Sequence, residues 1–272
     1  MDRGSGREQT RRMIKANRIR GERNFHDDGT PLSGIEAIET ILEHGERPVC
    51  LLAFSGGKDS LSAWLTLQKH FEEIIPYYAY RVPGLKWVDE MLDRYEQIFG
   101  QRILRVPDPH LYTMLRKFVW QPPNRWPWIH TASLMDFHWR DLELLIKLQL
   151  GLPEETFTAT GVRAIDNHQR WIAVRKYGPI HWGKFSFMPI WDMRKDEVLS
   201  LLETHQIPLS IEYEWFGHSF GGLDYRHIAP IKDNAPTDWA RIKEYFPLAH
   251  LEIARYEDLN RDYPFGDIGN DG

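Results

Sequence analysis

The stretch Val49-Cys50-Leu51-Leu52-Ala53-Phe54-Ser55-Gly56-Gly57-Lys58-Asp59-Ser60 decides the fold of this chain. Its first six residues form an apolar run typical of a buried strand, and the residues that follow it are apolar at helical spacing. The pattern predicts a strand, a tight glycine turn and a helix in direct succession. Adjacent glycines let the backbone approach an anion, and the unpaired N–H groups of a first helical turn point at it. We therefore predict a phosphate-binding loop over Ser55–Ser60, to which Lys58 adds a positive charge and the two serines add hydroxyls.

Strand and helix signals alternate from Pro48 onward. This alternation predicts an α/β fold with a mostly parallel sheet flanked by helices. The aromatic- and proline-rich residues 108–131 resist a regular assignment apart from a short helix over 112–120, and we expect them to form a surface near the site. Further strands are expected at 76–82, 102–106, 156–160 and 185–190, and further helices at 85–99, 141–150, 194–205 and 236–246.

Composition narrows the class of protein. The chain has 272 residues, of which 42% are hydrophobic, and this is ample for a large core. No apolar run approaches the roughly 20 residues that span a bilayer, and the N-terminus lacks the apolar core of a signal peptide. We expect a soluble, cytoplasmic protein without a membrane partner. The single cysteine, Cys50, excludes an internal disulfide and a cysteine-ligated iron–sulfur cluster within one chain.

Charge is distributed unevenly along the chain. Residues 1–25 hold eight Lys or Arg against three acids, a net charge of +5. Because the whole chain carries −5, the remaining residues carry −10. This basic tail has two interpretations, which the sequence leaves open. It is either an arm that contacts nucleic acid or a protein partner, or a solvated, partly helical leader.

The spacing of the glycine-rich loop identifies its kind. It matches neither the Walker loop nor the Gly-x-Gly-x-x-Gly dinucleotide motif. Ser-Gly-Gly-Lys-Asp-Ser resembles the PP-loop of the ATP pyrophosphatase and PAPS (3′-phosphoadenylyl sulfate) reductase superfamily, whose fold is adenine nucleotide alpha hydrolase-like. A second segment, Gly161-Val162-Arg163-Ala164-Ile165-Asp166-Asn167-His168-Gln169-Arg170, resembles the PAPS reductase pattern Gly-x-Arg-x-x-Glu-Ser-x-x-Arg. The resemblance implies that Gly161, Arg163, Asp166 and Arg170 bind the nucleotide together with the loop.

The resemblance continues through Met188-Pro189-Ile190-Trp191-Asp192 to Gly217 and covers about residues 47–231. It implies a basic N-terminal extension over 1–30, a PP-loop PAPS reductase-like domain over 31–232 and a C-terminal helical appendage over 233–272. The residue needed for the redox chemistry of the reductases is missing. The C-terminal segment that should carry their catalytic cysteine has no cysteine and reads Gly217-His218-Ser219-Phe220-Gly221-Gly222-Leu223-Asp224. Cys50 lies in the first strand, where we expect it to pack in the core.

Three functions are compatible with this sequence. The first is an adenine-nucleotide enzyme that cleaves ATP between the α- and β-phosphates to activate or modify an unknown acceptor. In it Lys58, Arg163 and Arg170 stabilise developing charge, and Asp59 is a candidate ligand for an Mg²⁺ ion that arrives with ATP. The second is a PAPS reductase or sulfotransferase-type activity with an external thiol. The third is a nucleotide-binding module without catalysis, similar to PAPS reductase-like proteins of phages and mobile elements, whose tail recruits nucleic acid or protein.

Two further groups of residues have alternative interpretations. Histidines and acids at 130, 136, 138 and 141 lie close in sequence, but their spacing matches no established metal motif. Tryptophans crowd the middle of the chain, where they either stack on a nucleobase or pack in the core and at interfaces. They are Trp126, Trp128, Trp139, Trp171 and Trp182.

Overall fold

A computed structural model describes residues 23–44, 48–165 and 167–262. Its strands are β1 (Val49–Ala53), β2 (Glu73–Tyr80), β3 (Leu104–Pro107), β4 (Thr158–Thr160), β5 (Ile180–His181) and β6 (Ser186–Phe187). They form one sheet in the order β3-β2-β1-β4-β6-β5. The pairs β2–β3, β1–β4 and β4–β6 are parallel, whereas β5 and β6 are antiparallel. The predicted α/β fold with a mostly parallel sheet flanked by helices is confirmed.

The helices expected after β1 and at 85–99, 141–150, 194–205 and 236–246 are present, with ends that shift by a few residues. The helices at 34–42, 126–131, 168–177, 212–216 and 225–234 were not predicted. One difference concerns the helix expected at 112–120, which begins earlier because Asp108 accepts a hydrogen bond from the backbone N–H of His110 and a proline occupies the first helical position. The helices are α1 (Gly34–Leu42), α2 (Lys58–Leu67), α3 (Lys86–Phe99), α4 (Pro109–Arg116), α5 (Trp126–Thr131), α6 (Trp139–Gln149), α7 (His168–Tyr177), α8 (Lys195–Thr204), α9 (Glu212–Phe216), α10 (Tyr225–Asn234), α11 (Pro236–Tyr245) and α12 (His250–Asp262). None in the described part of the chain is long and apolar enough to cross a bilayer.

The strand expected at 185–190 is shorter than predicted and has an unpredicted partner. Only Ser186 and Phe187 pair as a strand, and they pair with Ile180 and His181 on one side. The sequence between them is a short turn through Gly183. A two-residue strand carries too little period-2 pattern to be recognised from sequence.

The chain divides into two compact units, each assembled from separate stretches. The first unit takes in the described parts of 1–54, 58–76 and 144–206, and the second those of 55–57, 77–143 and 207–272. The domain boundaries inferred above, after residues 30 and 232, remain predictions.

The core of the first unit is built on β1 and α2. Cys50, Leu51 and Leu52 of β1 are fully buried, as are Leu61 and Leu67 of α2. The expected burial of the thiol is therefore confirmed, and burial raises the pKa of Cys50 well above its usual value. A neutral thiol in the core is a poor nucleophile.

The core of the second unit is built on α3, whose buried face was predicted from its periodicity. Trp87, Met91 and Tyr95 are among the buried residues of this helix, which ends at Gly100 in the left-handed conformation. Its N-terminal N–H groups are satisfied from another helix, since the carboxylate of Asp238 on α11 accepts hydrogen bonds from the backbone N–H groups of Lys86 and Trp87.

Candidate functional site

The predicted phosphate-binding loop lies between the end of β1 at Ala53 and the start of α2 at Lys58. Gly56 has a φ of +73°, and a Cβ atom there would lie 2.4 Å from the sulfur of Met91. Only glycine adopts this positive φ without strain and leaves room for the Met91 side chain. The backbone N–H of Gly57 donates a hydrogen bond to the Ser55 hydroxyl at 3.3 Å. The strand, glycine turn and helix start expected from the sequence are therefore present.

The loop that follows β4 packs directly on the first turn of α2. A Cβ atom on Gly161 would lie 2.8 Å from both the backbone nitrogen and the Cα of Ser60, so only a glycine allows this approach. The two loops meet because β1 and β4 are parallel neighbours in which Ala53 pairs with Thr160. Gly161 and Ser60, predicted site residues from distant parts of the sequence, are thereby brought together.

Three charged side chains meet at the start of α2. The carboxylate of Asp59 lies 2.9 Å from the Lys58 ammonium nitrogen and 2.8 Å from Nε of Arg163. Arg163 is almost fully buried, with 4% of its side chain exposed, whereas Asp59 is 31% exposed. A guanidinium so buried needs a carboxylate or a comparable anion beside it. One carboxylate thus contacts two of the three cations that the sequence assigned to the phosphate site.

The position of Arg163 is fixed by its chain neighbours. The backbone N–H of Ala164 donates a hydrogen bond to the carbonyl of Trp191 at 2.8 Å. Ala164 and Trp191 are both buried in a cluster that also contains Val174 and Met188. The packing of Trp191 in this cluster holds the segment that carries Arg163.

The strand order marks this place as a topological switch point. After β1 the chain crosses to β2 on one side, whereas β4 lies on the other side of β1. In open α/β sheets, ligands bind in the crevice outside the carboxyl ends of two such strands. The loops at those ends carry Lys58, Asp59, Gly161 and Arg163.

The remaining predicted residues of the second segment lie differently. Arg170 has an exposed side chain on α7, and its backbone N–H donates to the side chain of Asn167, which caps that helix. Asn167 stands where the reductase pattern has serine, and in this chain it caps the N-terminus of α7. Asp166 lies outside the described residues.

Sequence reasoning missed Ser219. A Cβ atom on Gly57 would lie 2.8 Å from the hydroxyl of Ser219, so this serine contacts the loop closely. Its carbonyl oxygen lies 2.9 Å from Nδ1 of His218, whose ring makes an edge contact with the buried ring of His227. The sequence held a signal for it, because Ser219 stands in the segment 217–224, which corresponds to the cysteine-bearing segment of the reductases.

Buried acid and base groups surround this segment. Burial raises the pKa of Glu212, whose carboxylate accepts hydrogen bonds from the Phe220 backbone and the Trp87 indole. Burial lowers the pKa of His227, which Asp224 partly counteracts from 3.3 Å. Both shifts favour neutral forms, as expected where desolvation dominates.

The described residues offer no preformed metal cage, since no group of three or more His, Cys, Asp or Glu side chains lies together among them. Asp136, which lies close to two histidines in sequence, forms an ion pair with Arg116 at 2.6 Å. At the loop, Asp59 offers the hard carboxylate oxygens that Mg²⁺ prefers, and it is partly exposed. The Asp59 carboxylate therefore fits as one ligand of an Mg²⁺ ion whose other ligands come from phosphate and water.

The tryptophans divide into two groups. Trp182 is buried at 8% exposure, whereas Trp126 and Trp128 are 54% and 78% exposed. Trp139 and Trp171 are also exposed, and Arg175 covers the ring of Trp171 at 4.9 Å. Core packing thus accounts for Trp182 and not for the pair on α5.

Comparison with known proteins gives only distant similarities. No protein-family model and no curated protein matches the chain. Among solved structures it is similar to the U34-tRNA thiolase NcsA from Methanococcus maripaludis, determined with its [4Fe-4S] cluster, at 16% identity and a TM-score of 0.42 over 80% of this chain and 79% of the other. It is also similar to an NH₃-dependent NAD synthetase from Campylobacter jejuni in complex with nitrate, at 15% identity and a TM-score of 0.41 over 82% and 92%. Similarities of this size do not assign an activity to this chain.

Proposed function

We propose that this protein is a PP-loop adenine-nucleotide enzyme that cleaves ATP between the α- and β-phosphates. An acceptor nucleophile attacks the α-phosphorus, the bond to the bridging oxygen breaks, and pyrophosphate leaves with the bonding electron pair. AMP is transferred to the acceptor, or is released where water is the nucleophile. The acceptor class is not part of this proposal.

One observation carries the proposal. Asp59 contacts both Lys58 and the buried Arg163 at the switch point between β1 and β4, where the glycine-rich turn and the start of α2 lie. Together the three side chains carry a net charge of +1 at the start of a helix, and this favours an anionic ligand. The loop's resemblance to the PP-loop makes a nucleotide the expected polyanion.

Each residue then has a distinct part. Backbone N–H groups from Gly56 onward hold the departing pyrophosphate, while Lys58 and Arg163 stabilise the charge that develops on it. Asp59 would give an oxygen to Mg²⁺, and Lys58 would then turn from the carboxylate to the phosphates. The ion would neutralise polyphosphate charge. Arg170, exposed on α7, remains a proposed nucleotide contact.

The test uses ATP labelled at the α-phosphate, incubated with the full-length protein and Mg²⁺, with and without pools of candidate acceptors. We expect labelled AMP or an AMP adduct together with one equivalent of pyrophosphate, and loss of both on Lys58→Ala. ADP and inorganic phosphate, or no turnover under any condition, would contradict the proposal.

A parallel incubation with PAPS and dithiothreitol separates the reductase alternative. Sulfite release, with no AMP formed from ATP, would replace the proposed reaction with thiol-dependent reduction. We expect no sulfite, because the reductases that the sequence resembles use a protein cysteine to take sulfite from the nucleotide before an external thiol acts. Here Cys50 is buried in β1 and the segment at Ser219 has no thiol.

A further inference from the structure

Residues 109–140, called here the tryptophan segment, differ in charge from the rest of the chain. They contain four Lys or Arg and one acid, whereas residues 26–272 together carry −10. The two acids that flank the segment have partners within the protein. Asp108 is buried against Arg81 at 3.1 Å, and Asp141 accepts a hydrogen bond from the backbone N–H of His138. The segment's own acid, Asp136, pairs with Arg116 at 2.6 Å. The segment still carries a net charge of +3 on an acidic protein, and this favours a polyanion as its ligand.

The same segment exposes flat aromatic rings. Trp128 is 78% exposed and Trp126 54% exposed, on a helix of six residues. One face of Trp126 is covered by the ring of His130, stacked at a centroid distance of 4.7 Å and an angle of 19°. A stack of two rings already exists here, and a third planar group can continue it. Exposed tryptophans interleaved with cations are typical of surfaces that bind single-stranded nucleic acid.

A cavity of about 170 Å³ opens beside this stack. Among the side chains that line it are Arg116, Trp126 and His130. Pockets that enclose a whole small molecule measure roughly 300–1,000 Å³. The cavity is therefore suited to one part of a longer ligand, such as a phosphate or a single base, while the remainder extends over the exposed rings.

The backbone of the segment is strained. Phe118, Trp120 and Ser133 have φ values of 61°, 51° and 46°, and these are three of the five non-glycine residues with positive φ in the described part of the chain. A bulky aromatic residue in this conformation is unusual, and such strain concentrates at ligand clamps and functional sites. Two of the three, Phe118 and Ser133, line the cavity.

We propose that the tryptophan segment binds single-stranded nucleic acid, with bases stacked on Trp126 and Trp128 and phosphates against its Lys and Arg side chains. A duplex hides the faces of its bases inside the stack, so it offers phosphates but no free rings. This binding surface does not depend on the nucleotide-cleaving function proposed above.

The test measures fluorescence anisotropy of labelled 20-nucleotide pyrimidine strands, as DNA and as RNA, with the full-length protein. We expect at least one of the two to bind more tightly than a 20-base-pair duplex, with an affinity that falls as salt rises. Trp126→Ala/Trp128→Ala should weaken binding by roughly 5- to 150-fold for each lost stacking contact. The matched control is Trp171→Ala, which removes another exposed tryptophan, from α7, and should bind as the wild type does.

The basic tail needs its own control, because it could bind a polyanion unaided. Arg11→Gln/Arg12→Gln/Lys15→Gln lowers its charge, and we expect the preference for single strands to survive in that variant. The proposal would be overturned if the tail variant lost all binding or if the double tryptophan variant bound as the wild type does. Equal affinity for single strand and duplex would also overturn it. Thermal melts check the folding of each variant, and Trp128→Ala alone, at the most exposed ring, serves if the double variant is unstable.

Discussion

Asp59 is the residue at which the charges of the loop converge. It contacts an ammonium that belongs to the same helical turn and a guanidinium 104 residues away in sequence. The sequence placed all three residues in the candidate site and made Asp59 a candidate metal ligand, but it did not predict that Asp59 pairs with either cation. The ion pair with Arg163 is a tertiary contact, and nothing in the local pattern around either residue encodes it.

Replacing Asp59 by alanine should destabilise the protein. The change removes the carboxylate that contacts both cations and leaves Arg163 buried without it. We expect a loss of about 2–3 kcal/mol in the free energy of unfolding, below the ~3–5 kcal/mol for fully buried pairs because Asp59 is 31% exposed. Urea denaturation measures it. Asp196→Ala, which breaks an exposed ion pair with Arg194, should cost less than ~1 kcal/mol. Equal losses of unfolding free energy in the two variants would show that the burial of Arg163 does not strengthen its ion pair with Asp59.

Glu212 predicts a pH dependence of stability. Its pKa is raised by burial above the ordinary value of 4.5, so the folded state holds a proton that the unfolded state has released. The contribution of Glu212 to the stability of the wild type should therefore fall as pH rises from about 4.5 toward the raised pKa. Glu212→Gln cannot titrate, and its stability relative to the wild type should rise with pH across that window. Denaturant unfolding from pH 4 to pH 8 measures the difference, and a difference independent of pH would refute the assignment.

At the scale of elements, the strand, loop and helix from β1 to α2 could be predicted because each signal is local. The apolar run, the two glycines and the helical spacing follow one another within a few residues. The hairpin of β5 and β6 could not, since each strand has only two residues and is defined by its partner. The contact of the β4 loop with α2 lies between these cases. The resemblance alone indicated Gly161, and the structure shows why glycine is needed there, since any larger residue would collide with the backbone of Ser60.

Gly161→Ala tests that contact. The new methyl group would lie 2.8 Å from backbone atoms of Ser60, which cannot move aside as a flexible side chain can. We expect a loss of roughly 1–3 kcal/mol in stability and weaker ATP binding, because the start of α2 must shift. Gly183→Ala is the matched control, since a methyl group there meets nothing within 4 Å. If calorimetry and denaturation gave the two variants the same values, the close packing of the two loops would have no consequence.

At the scale of the whole molecule, alternation of strands and helices was enough to predict the sheet and its mostly parallel pairing. The order β3-β2-β1-β4-β6-β5 was not predicted, because it depends on which strands become neighbours after folding. That order matters for the candidate site, because it brings the loops after β1 and β4 together at a switch point. The expectation that ligand lies at the carboxyl ends of these strands remains a proposal, now with named contacts to test.

The central claim is that Lys58 helps to hold the phosphates of ATP. Isothermal titration calorimetry with ATP and Mg²⁺ on the wild type, Lys58→Ala and Lys184→Ala tests it most directly, because Lys184 is an exposed lysine in the turn between β5 and β6. We predict that Lys58→Ala weakens binding by about 10- to 100-fold, as expected for one lost charged hydrogen bond, and that Lys184→Ala binds as the wild type does. Equal ATP affinity in all three proteins would contradict the account.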